Sequence, residues 1–282
     1  MSESSSLTIG RNVPLPTLHR LGPQLVRLSP LQRWFSIVLP VAYVLAFMVL
    51  ATAGWWAGAV LAAAGYTFYS YGSTSHDLVH GNLGLPRWLN HLLLSFIELL
   101  GLRSGHAYRA AHLHHHARFP HSDDIEGAAS HGSFAGAVLA GPLHQFRIWW
   151  WAIRFVRRDR AWIFFETVSC ALMAAGAVAV LPITAVPLAY LTFVILGSWT
   201  IPLVTAYFPH NPNGEDALRQ TRRFRGMIAR VLFREHLYHL EHHLYPAVPH
   251  QNWPELAKRL DPYFDQAGIP TIRLERFFHI GA

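Results

Sequence analysis

Histidines recur in this chain at helical spacing beside very hydrophobic segments, and this pattern constrains both the fold and the chemistry. Imidazoles three or four residues apart share one face of a helix, and neutral imidazole binds iron, copper and zinc. The pattern predicts a metal site beside a membrane. Nine of the 19 histidines carry it, namely His76, His80, His112, His115, His116, His210, His239, His242 and His243.

The composition agrees with a membrane setting. Of all residues, 52% are hydrophobic and only 14% are charged, whereas about a quarter of the residues of a soluble domain are charged. Cys170 is the single cysteine, which excludes an intramolecular disulfide framework and a thiolate-rich metal cluster. The metal ligands must therefore be nitrogen and oxygen atoms.

Four apolar stretches are each close to the roughly 20 residues that a helix needs to cross a bilayer. Short turns at Thr52–Gly54 and near Pro182 would join them in pairs. We therefore expect an all-α integral membrane fold with four transmembrane helices in two hairpins. The stretches are Trp34–Ala51, Trp55 to about Ser75, Trp162–Leu181 and Ile183 to about Phe208. A soluble all-α protein with buried core helices is the alternative.

The distribution of basic residues predicts the orientation. Four of the 23 lysines and arginines precede the first stretch, nine lie between Arg87 and Arg160, and ten lie between Arg219 and Arg276. Cytoplasmic loops accumulate such residues, so both termini and the central segment are expected in the cytoplasm, at the inner membrane if the chain is bacterial. Every histidine group would then lie on one side, in a cytoplasmic helical cap that holds a di-metal site.

This organisation divides the chain into three parts. We expect residues 1–33 to be a cytoplasmic N-terminal segment without the pattern of a secretory signal peptide, 34–263 to be the membrane domain and 264–282 to be a C-terminal tail. The apolar segment Trp88–Leu102 is too short to span comfortably and is expected to be re-entrant or interfacial. The aromatic run Phe146–Trp151 is expected at the interface.

The three histidine groups have spacings that suit metal binding. His76 and His80 are one helical turn apart, and the other two groups both follow the spacing i, i+3, i+4. Buried imidazoles are costly unless satisfied and repel one another when protonated, and a metal ion removes both difficulties. The candidates for orienting the imidazoles are Asp77, Asn82, Asp123, Asp124 and Glu241. His114 falls on the opposite helix face, and His106, His121 and His236 have no predicted role.

The motifs HDLVH, HLHHH and HLEHHLYPAVPHQNWPEL resemble those of the integral-membrane fatty acid desaturase superfamily, which also includes carotenoid ketolases and hydroxylases. The resemblance extends from about Ser70 to Tyr263. It implies that the eight histidines of the boxes, together with His210, hold two iron ions. It also implies an oxidoreductase that uses O2 and two electrons to oxidise an unactivated C–H bond of a lipid.

Several activities stay open at this point. A fatty acyl desaturase is the first expectation, and a carotenoid ketolase or hydroxylase is the alternative, since the segment TAYFPH resembles theirs. Zinc-dependent hydrolysis and a non-catalytic membrane metal-binding protein are further alternatives. The chain has no GxGxxG fingerprint and no haem motif, so electrons are expected from an external carrier such as an acidic ferredoxin. The other expected partners are the lipid substrate and membrane lipids, and no nucleic acid.

Overall fold

The computed structural model describes residues 8–9, 13–227 and 234–273, and it is mostly helical. The helices are α1 (Leu18–Leu21), α2 (Pro30–Thr52), α3 (Trp56–Tyr69), α4 (Ser75–His80), α5 (Arg87–Leu99), α6 (Gly105–Arg118), α7 (Phe134–Phe155), α8 (Arg160–Ala179), α9 (Val186–Ser198), α10 (His239–Leu244) and α11 (Trp253–Gln266). Short 3-10 helices occur at Pro23–Val26, Gly127–His131, Arg234–Tyr238 and His250–Asn252. Two π-helical segments, Ser70–Thr74 and Pro202–Tyr207, continue α3 and follow α9.

Two short sheets accompany the helices. Strands β1 (Thr8–Ile9) and β2 (Val13–Pro14) pair antiparallel, and β3 (Arg223–Arg225) pairs in parallel with β4 (Thr271–Arg273). The sequence predicted helices alone. Strands of two or three residues are too short to show the alternating apolar pattern that identifies a strand.

Three helical stretches of the described residues are long and apolar enough to cross a membrane. They are Pro23–Thr52, Arg160–Ala179 and Val186–Tyr207. In α2, Ser29 accepts a hydrogen bond from the Gln32 backbone amide and the Gln32 side chain accepts one from the Ser29 amide, so a capping box fixes the start of the helix. The structure therefore has the membrane helices that the composition predicted, with one exception in the count.

The exception is the second predicted span. Helix α3 packs along α2 and runs through the π-helical segment Ser70–Thr74 into α4, but this stretch is not among the helices long and apolar enough to cross. Helix α3 itself has 14 residues, and Ser70–Thr74 consists of serine, tyrosine, glycine and threonine. The apolar first half and the total length of the stretch had indicated a span, and the polar groups of the second half explain the difference.

The turn between α5 and α6 is anchored among the apolar helices. The Arg103 side chain forms a buried ion pair with Glu98 at 2.6 Å and donates hydrogen bonds to Ser70 at 2.9 Å and Ser198 at 3.2 Å. A buried ion pair in which all three guanidinium nitrogens donate hydrogen bonds ties this turn to the segments that follow α3 and end α9. The turn thereby sets the position of α6, which carries the second histidine group.

A second apolar core lies under α10 and α11. Trp253, Leu256, Leu260 and Phe264 of α11 are buried against Leu21 and Leu25 near the start of the described chain. Arg223 and Arg225 of β3 both form ion pairs with Asp261 of α11. This packing fixes α10, which carries the third histidine group. The described part of the predicted C-terminal tail extends α11 to Gln266 and forms β4, and residues 274–282 lie outside the described residues.

Candidate metal centre

The nine predicted histidines converge into two adjacent clusters. The five-histidine cluster contains His76, His80, His112, His116 and His242, and the four-histidine cluster contains His115, His210, His239 and His243. Within each cluster the potential ligand atoms all lie within 4.8 Å of one another. Helix α4, helix α6, helix α10 and the turn after Tyr207 each deliver their histidines to this place.

Helical geometry sorts the histidines between the clusters. On α6, His112 and His116 are four residues apart and join the five-histidine cluster, whereas His115 points into the other. Helix α10 repeats this arrangement in reverse, because His239 and His243 join the four-histidine cluster and His242 joins the five-histidine cluster. Residues i and i+4 project from nearly the same side of a helix, whereas the adjacent residues i+3 and i+4 project in different directions. Helices α6 and α10 therefore each face both clusters.

The distances between Nε2 atoms fit a metal ion in each cluster. In the five-histidine cluster His242 lies 2.9 Å from His76 and 2.8 Å from His116, measured between Nε2 atoms. In the four-histidine cluster the Nε2 atom of His210 lies 3.0 to 3.2 Å from those of three neighbours. Nitrogens in adjacent coordination positions about 2.1 Å from one ion lie about 3.0 Å apart. Both clusters therefore have the spacing of a ligand set.

Several of these imidazoles form hydrogen bonds through Nδ1, which leaves the lone pair on Nε2. The Nε2 atoms face one another within each cluster. Nδ1 of His115 lies 2.6 Å from an Asp124 carboxylate oxygen, and Nδ1 of His112 lies 2.9 Å from Glu126. Nδ1 of His210 lies 3.0 Å from the Ala206 carbonyl oxygen, which can only accept, so that nitrogen donates. In the neutral ring the Nε2 atom then carries a lone pair. Lone pairs that face each other at about 3 Å repel, and a cation between them turns this repulsion into coordination.

Burial keeps most of these imidazoles neutral. Burial and the neighbouring imidazoles lower the pKa of His76, His242 and His243 well below the usual value. Burial, with smaller effects from His112 and Arg109, lowers the pKa of His80 to about 2. The clusters are therefore ready to coordinate, because metal binding requires unprotonated imidazole. For His115, burial lowers the pKa but Asp124 outweighs it, and the pKa is raised.

The other predicted orienting residues have different contacts. Asp124 contacts His115 directly, and Asp123 forms an exposed ion pair with Arg118 at 3.0 Å. Asn82 donates to the Pro246 carbonyl oxygen at 2.9 Å and so ties the end of α4 to the loop after α10. Asp77 and Glu241 connect their helices to other parts of the fold. Asp77 accepts from Nδ1 of His250 at 2.6 Å, and Glu241 forms a buried ion pair with Arg225.

Sequence reasoning missed two residues that support the clusters. Glu126 is buried and holds His112, but it lies in a segment of ordinary polar composition that gave no signal. His250 donates hydrogen bonds to the Asp77 carboxylate from both its ring and its backbone amide. Its position in PHQNW, seven residues after the last box histidine, was the available signal.

The histidines without a predicted role lie outside the clusters. His114 is partly exposed and contacts the Asp123 carbonyl oxygen at 3.2 Å, and His121 is exposed. His106 is buried beside Glu166. His236 lies against the ring of Phe68, with ring centres 4.9 Å apart.

A narrow cavity of about 10 Å³ borders both clusters. A second small cavity continues it between the two π-helical segments, and the two share Tyr71, Gly72, Thr205 and His236. The His236 ring packs directly on Gly72, since a Cβ atom at this position would lie 1.3 Å from Cε1 of the ring. The two small cavities therefore lie on either side of a close contact between Gly72 and His236.

The fold and the site define a class: a mostly helical protein with helices apolar enough to cross a membrane and two adjacent histidine clusters that could each hold a metal ion. The family model for fatty acid desaturases matches residues 50–274. The chain therefore belongs to the fatty acid desaturase family, and the resemblance inferred from the histidine boxes is confirmed. A search of curated proteins finds no significant match.

Proposed function

We propose that the chain is a di-iron, O2-dependent oxidoreductase that acts on C–H bonds of a lipid, and specifically a fatty acyl desaturase. Family membership places it among the membrane oxidoreductases of the desaturase and hydroxylase superfamily. The single observation that carries the di-iron part of the proposal is the division of nine histidines into two adjacent clusters.

The donor set favours iron over hydrolytic zinc. A catalytic zinc site usually has three protein ligands and one open position, whereas these clusters offer five and four imidazoles. Bound iron would supply the oxidising chemistry that an unactivated C–H bond requires, since such a bond has no acidic proton for a general base. The protein's own contribution is to fix the imidazoles through Asp124, Glu126 and the Ala206 carbonyl group.

The family match supports an acyl chain as the group that reacts. The cavities beside the clusters are only about 10 and 20 Å³, and the second is lined by Phe68, Ile201 and Val204. A hydrocarbon enters only if the contact between Gly72 and His236 opens, and an unbranched chain needs a smaller opening than a substituted ring. Buried apolar walls would also exclude water from the reacting C–H bond.

The proposal includes a membrane arrangement and an electron source. In it, four helices span the membrane, α3 together with its π-helical continuation is the fourth, and both termini and the metal centre lie in the cytoplasm. Electrons come from an external small carrier, and the net charge of +7 suits an acidic one. Reporter fusions at residues 52–54 and near Pro182 test the arrangement, and cytoplasmic signals at both sites would contradict it.

Mass spectrometry of lipids and pigments from cells that express the chain tests the activity. A fatty acyl desaturase removes two hydrogen atoms from an acyl chain. A hydroxylase adds one oxygen atom, and a ketolase exchanges two hydrogen atoms for one oxygen atom in a carotenoid. Either of the last two products, with no new acyl double bond, would replace the desaturase assignment. Absence of O2 uptake with a reduced donor and candidate lipids would favour a metal-binding protein without catalysis.

A further inference from the structure

A large surface pocket lies apart from the metal centre, at the beginning of α8. Its volume is about 740 Å³. Because α8 is long and apolar enough to span a membrane from Arg160, the pocket is at the level where that span begins. Its lining residues are Arg87, Trp88, His91, Leu92, Arg158, Asp159 and Trp162.

The pocket carries an excess of positive charge. Arg87 and Arg158 are exposed and form no ion pair within the part of the chain that the structure describes. The one acidic side chain in the lining, Asp159, is engaged by Arg109 at 3.0 Å. The two arginines are therefore available to an anion, and guanidinium groups bind phosphate oxygens particularly well.

A hydrogen-bond chain beneath the pocket fixes the protonation of His91. The Glu166 carboxylate accepts from Ser95, from Ser104 at 2.5 Å and from the His106 backbone amide at 3.1 Å. It also contacts Nδ1 of His106 at 2.7 Å, and that nitrogen donates because the carboxylate can only accept. In the neutral His106 ring, Nε2 carries a lone pair and accepts from Nδ1 of His91 at 2.7 Å. Nε2 of His91 is left as a hydrogen-bond acceptor in the pocket wall.

Aromatic packing holds this chain rigid. The Trp162 ring stacks on His106 with 4.7 Å between ring centres and 8° between planes, and it also stacks on His91. Trp88 stands at the rim with 65% of its surface exposed. Tryptophan and arginine at the end of an apolar helix are typical of the membrane interface. The pocket thus combines two exposed arginines, a hydrogen-bond acceptor at Nε2 of His91 and apolar walls.

We propose that this pocket binds the headgroup of an anionic glycerophospholipid that carries a free hydroxyl group, of the phosphatidylglycerol type. The phosphodiester lies between Arg87 and Arg158, and the headgroup hydroxyl donates to Nε2 of His91. The glycerol backbone and first acyl carbons lie against Trp88, Leu92 and Trp162. This binding site is independent of the proposed activity, because it uses none of the nine clustered histidines.

The same arginines could attract an acidic protein, and two observations favour the lipid. The pocket lies where a membrane span begins, and its lining residue Trp88 exposes a large apolar surface, as does Phe165, which packs on Trp162. An interface patch of this kind is covered by lipid, and anionic lipids are attracted to basic residues at this level. The pocket is also close to the metal centre without being part of it, since His106 precedes His112 by six residues, about 9 Å along α6.

Native mass spectrometry of the purified, iron-loaded chain in detergent tests the proposal. The protein is titrated with phosphatidylglycerol, with phosphatidylmethanol, which has the charge but no headgroup hydroxyl, and with phosphatidylcholine. We expect the wild type to bind phosphatidylglycerol most tightly. Arg158→Gln should weaken both anionic lipids about tenfold, the loss of one charged hydrogen bond. His91→Phe should weaken phosphatidylglycerol alone, to the level of phosphatidylmethanol.

Arg157→Gln is the matched control, because Arg157 is exposed next to Arg158 but does not line the pocket. It should bind all three lipids as the wild type does. Iron content must be unchanged in every variant, which verifies the fold. Equal binding of phosphatidylglycerol and phosphatidylcholine by the wild type would overturn the proposal, and so would equal effects of Arg157→Gln and Arg158→Gln. Unchanged lipid binding by Arg158→Gln, with slower reduction by an acidic donor protein, would assign the pocket to that donor instead.

Discussion

The Asp124 carboxylate lies 2.6 Å from Nδ1 of His115, whereas the neighbouring carboxylate of Asp123 is exposed and pairs with Arg118. Asp124 also accepts backbone hydrogen bonds from Glu126 and Gly127. It therefore fixes both the loop after α6 and the tautomer of one histidine in the four-histidine cluster.

This difference predicts unequal effects of two adjacent substitutions. The single oxygen of an asparagine at 124 is needed by the Glu126 and Gly127 amides, so Asp124→Asn turns its NH2 group toward Nδ1 of His115. Loss of such a support typically costs about 10- to 100-fold in metal affinity. Asp123→Asn should leave affinity unchanged because its side chain faces solvent. Metal titration of both purified variants checks this, and equal affinities would show that Asp124 does not support the site.

Substitutions at two consecutive histidines should each remove the metal ion from a different cluster. His242 belongs to the five-histidine cluster and His243 to the four-histidine cluster. Each alanine variant should lose product formation, and each should retain about half of the wild-type iron, because the other cluster stays intact. His114→Ala is the control and should keep its iron. Full activity of the His243→Ala variant would end the di-iron assignment.

The contact between Gly72 and His236 makes a prediction about stability. A Cβ atom at Gly72 would overlap the His236 ring, and overpacking of this kind costs about 1–3 kcal/mol. Gly72→Ala should lower the unfolding temperature in detergent, and adding His236→Ala should recover part of the loss. Gly176→Ala in α8 is the control, since nothing lies within 4 Å of the added atom. A double variant no more stable than Gly72→Ala would mean that another neighbour limits this position.

The metal-depleted protein should lose stability as the pH falls. Burial lowers the pKa of His80 to about 2 in the folded protein, against 6.5 for an ordinary histidine. Above pH 6.5 the ring is neutral in both states. Below it the unfolded chain takes up a proton that the folded protein excludes, so unfolding is favoured by up to about 1.4 kcal/mol per pH unit.

Thermal unfolding of the chelator-treated protein at pH 7.5 and pH 5.5 measures this effect. His80→Ala should reduce the dependence on pH, and His121→Ala, at an exposed histidine outside the clusters, should not. A slope that is the same for the wild type and His80→Ala would mean that His80 is not buried as the structure has it.

Much of the site could be predicted from the sequence because its signal is local. The spacing of His112, His115 and His116 fixes which side chains share a helix face, and the structure brings together all nine predicted histidines. Their division between two clusters was beyond the sequence, since it depends on how α6 and α10 face each other. The support from Glu126 was equally hidden, because a contact across 14 residues of chain leaves no periodic pattern.

The membrane helices show the same limit. Hydropathy identified α2, α8 and α9, whose surfaces are apolar along their length. It also marked the stretch from Trp55 to about Ser75 as a span, although hydroxyl groups in the π-helical segment after α3 find buried partners, as Ser70 does with Arg103. Those partners come from the turn between α5 and α6, and hydropathy does not measure such packing.

The iron content of the purified wild-type chain tests the central claim most directly. Two adjacent clusters of five and four imidazoles predict two iron ions per polypeptide, measured by elemental analysis on protein from iron-replete cells. A ratio of one iron per chain, or zinc in place of iron in active protein, would contradict the account.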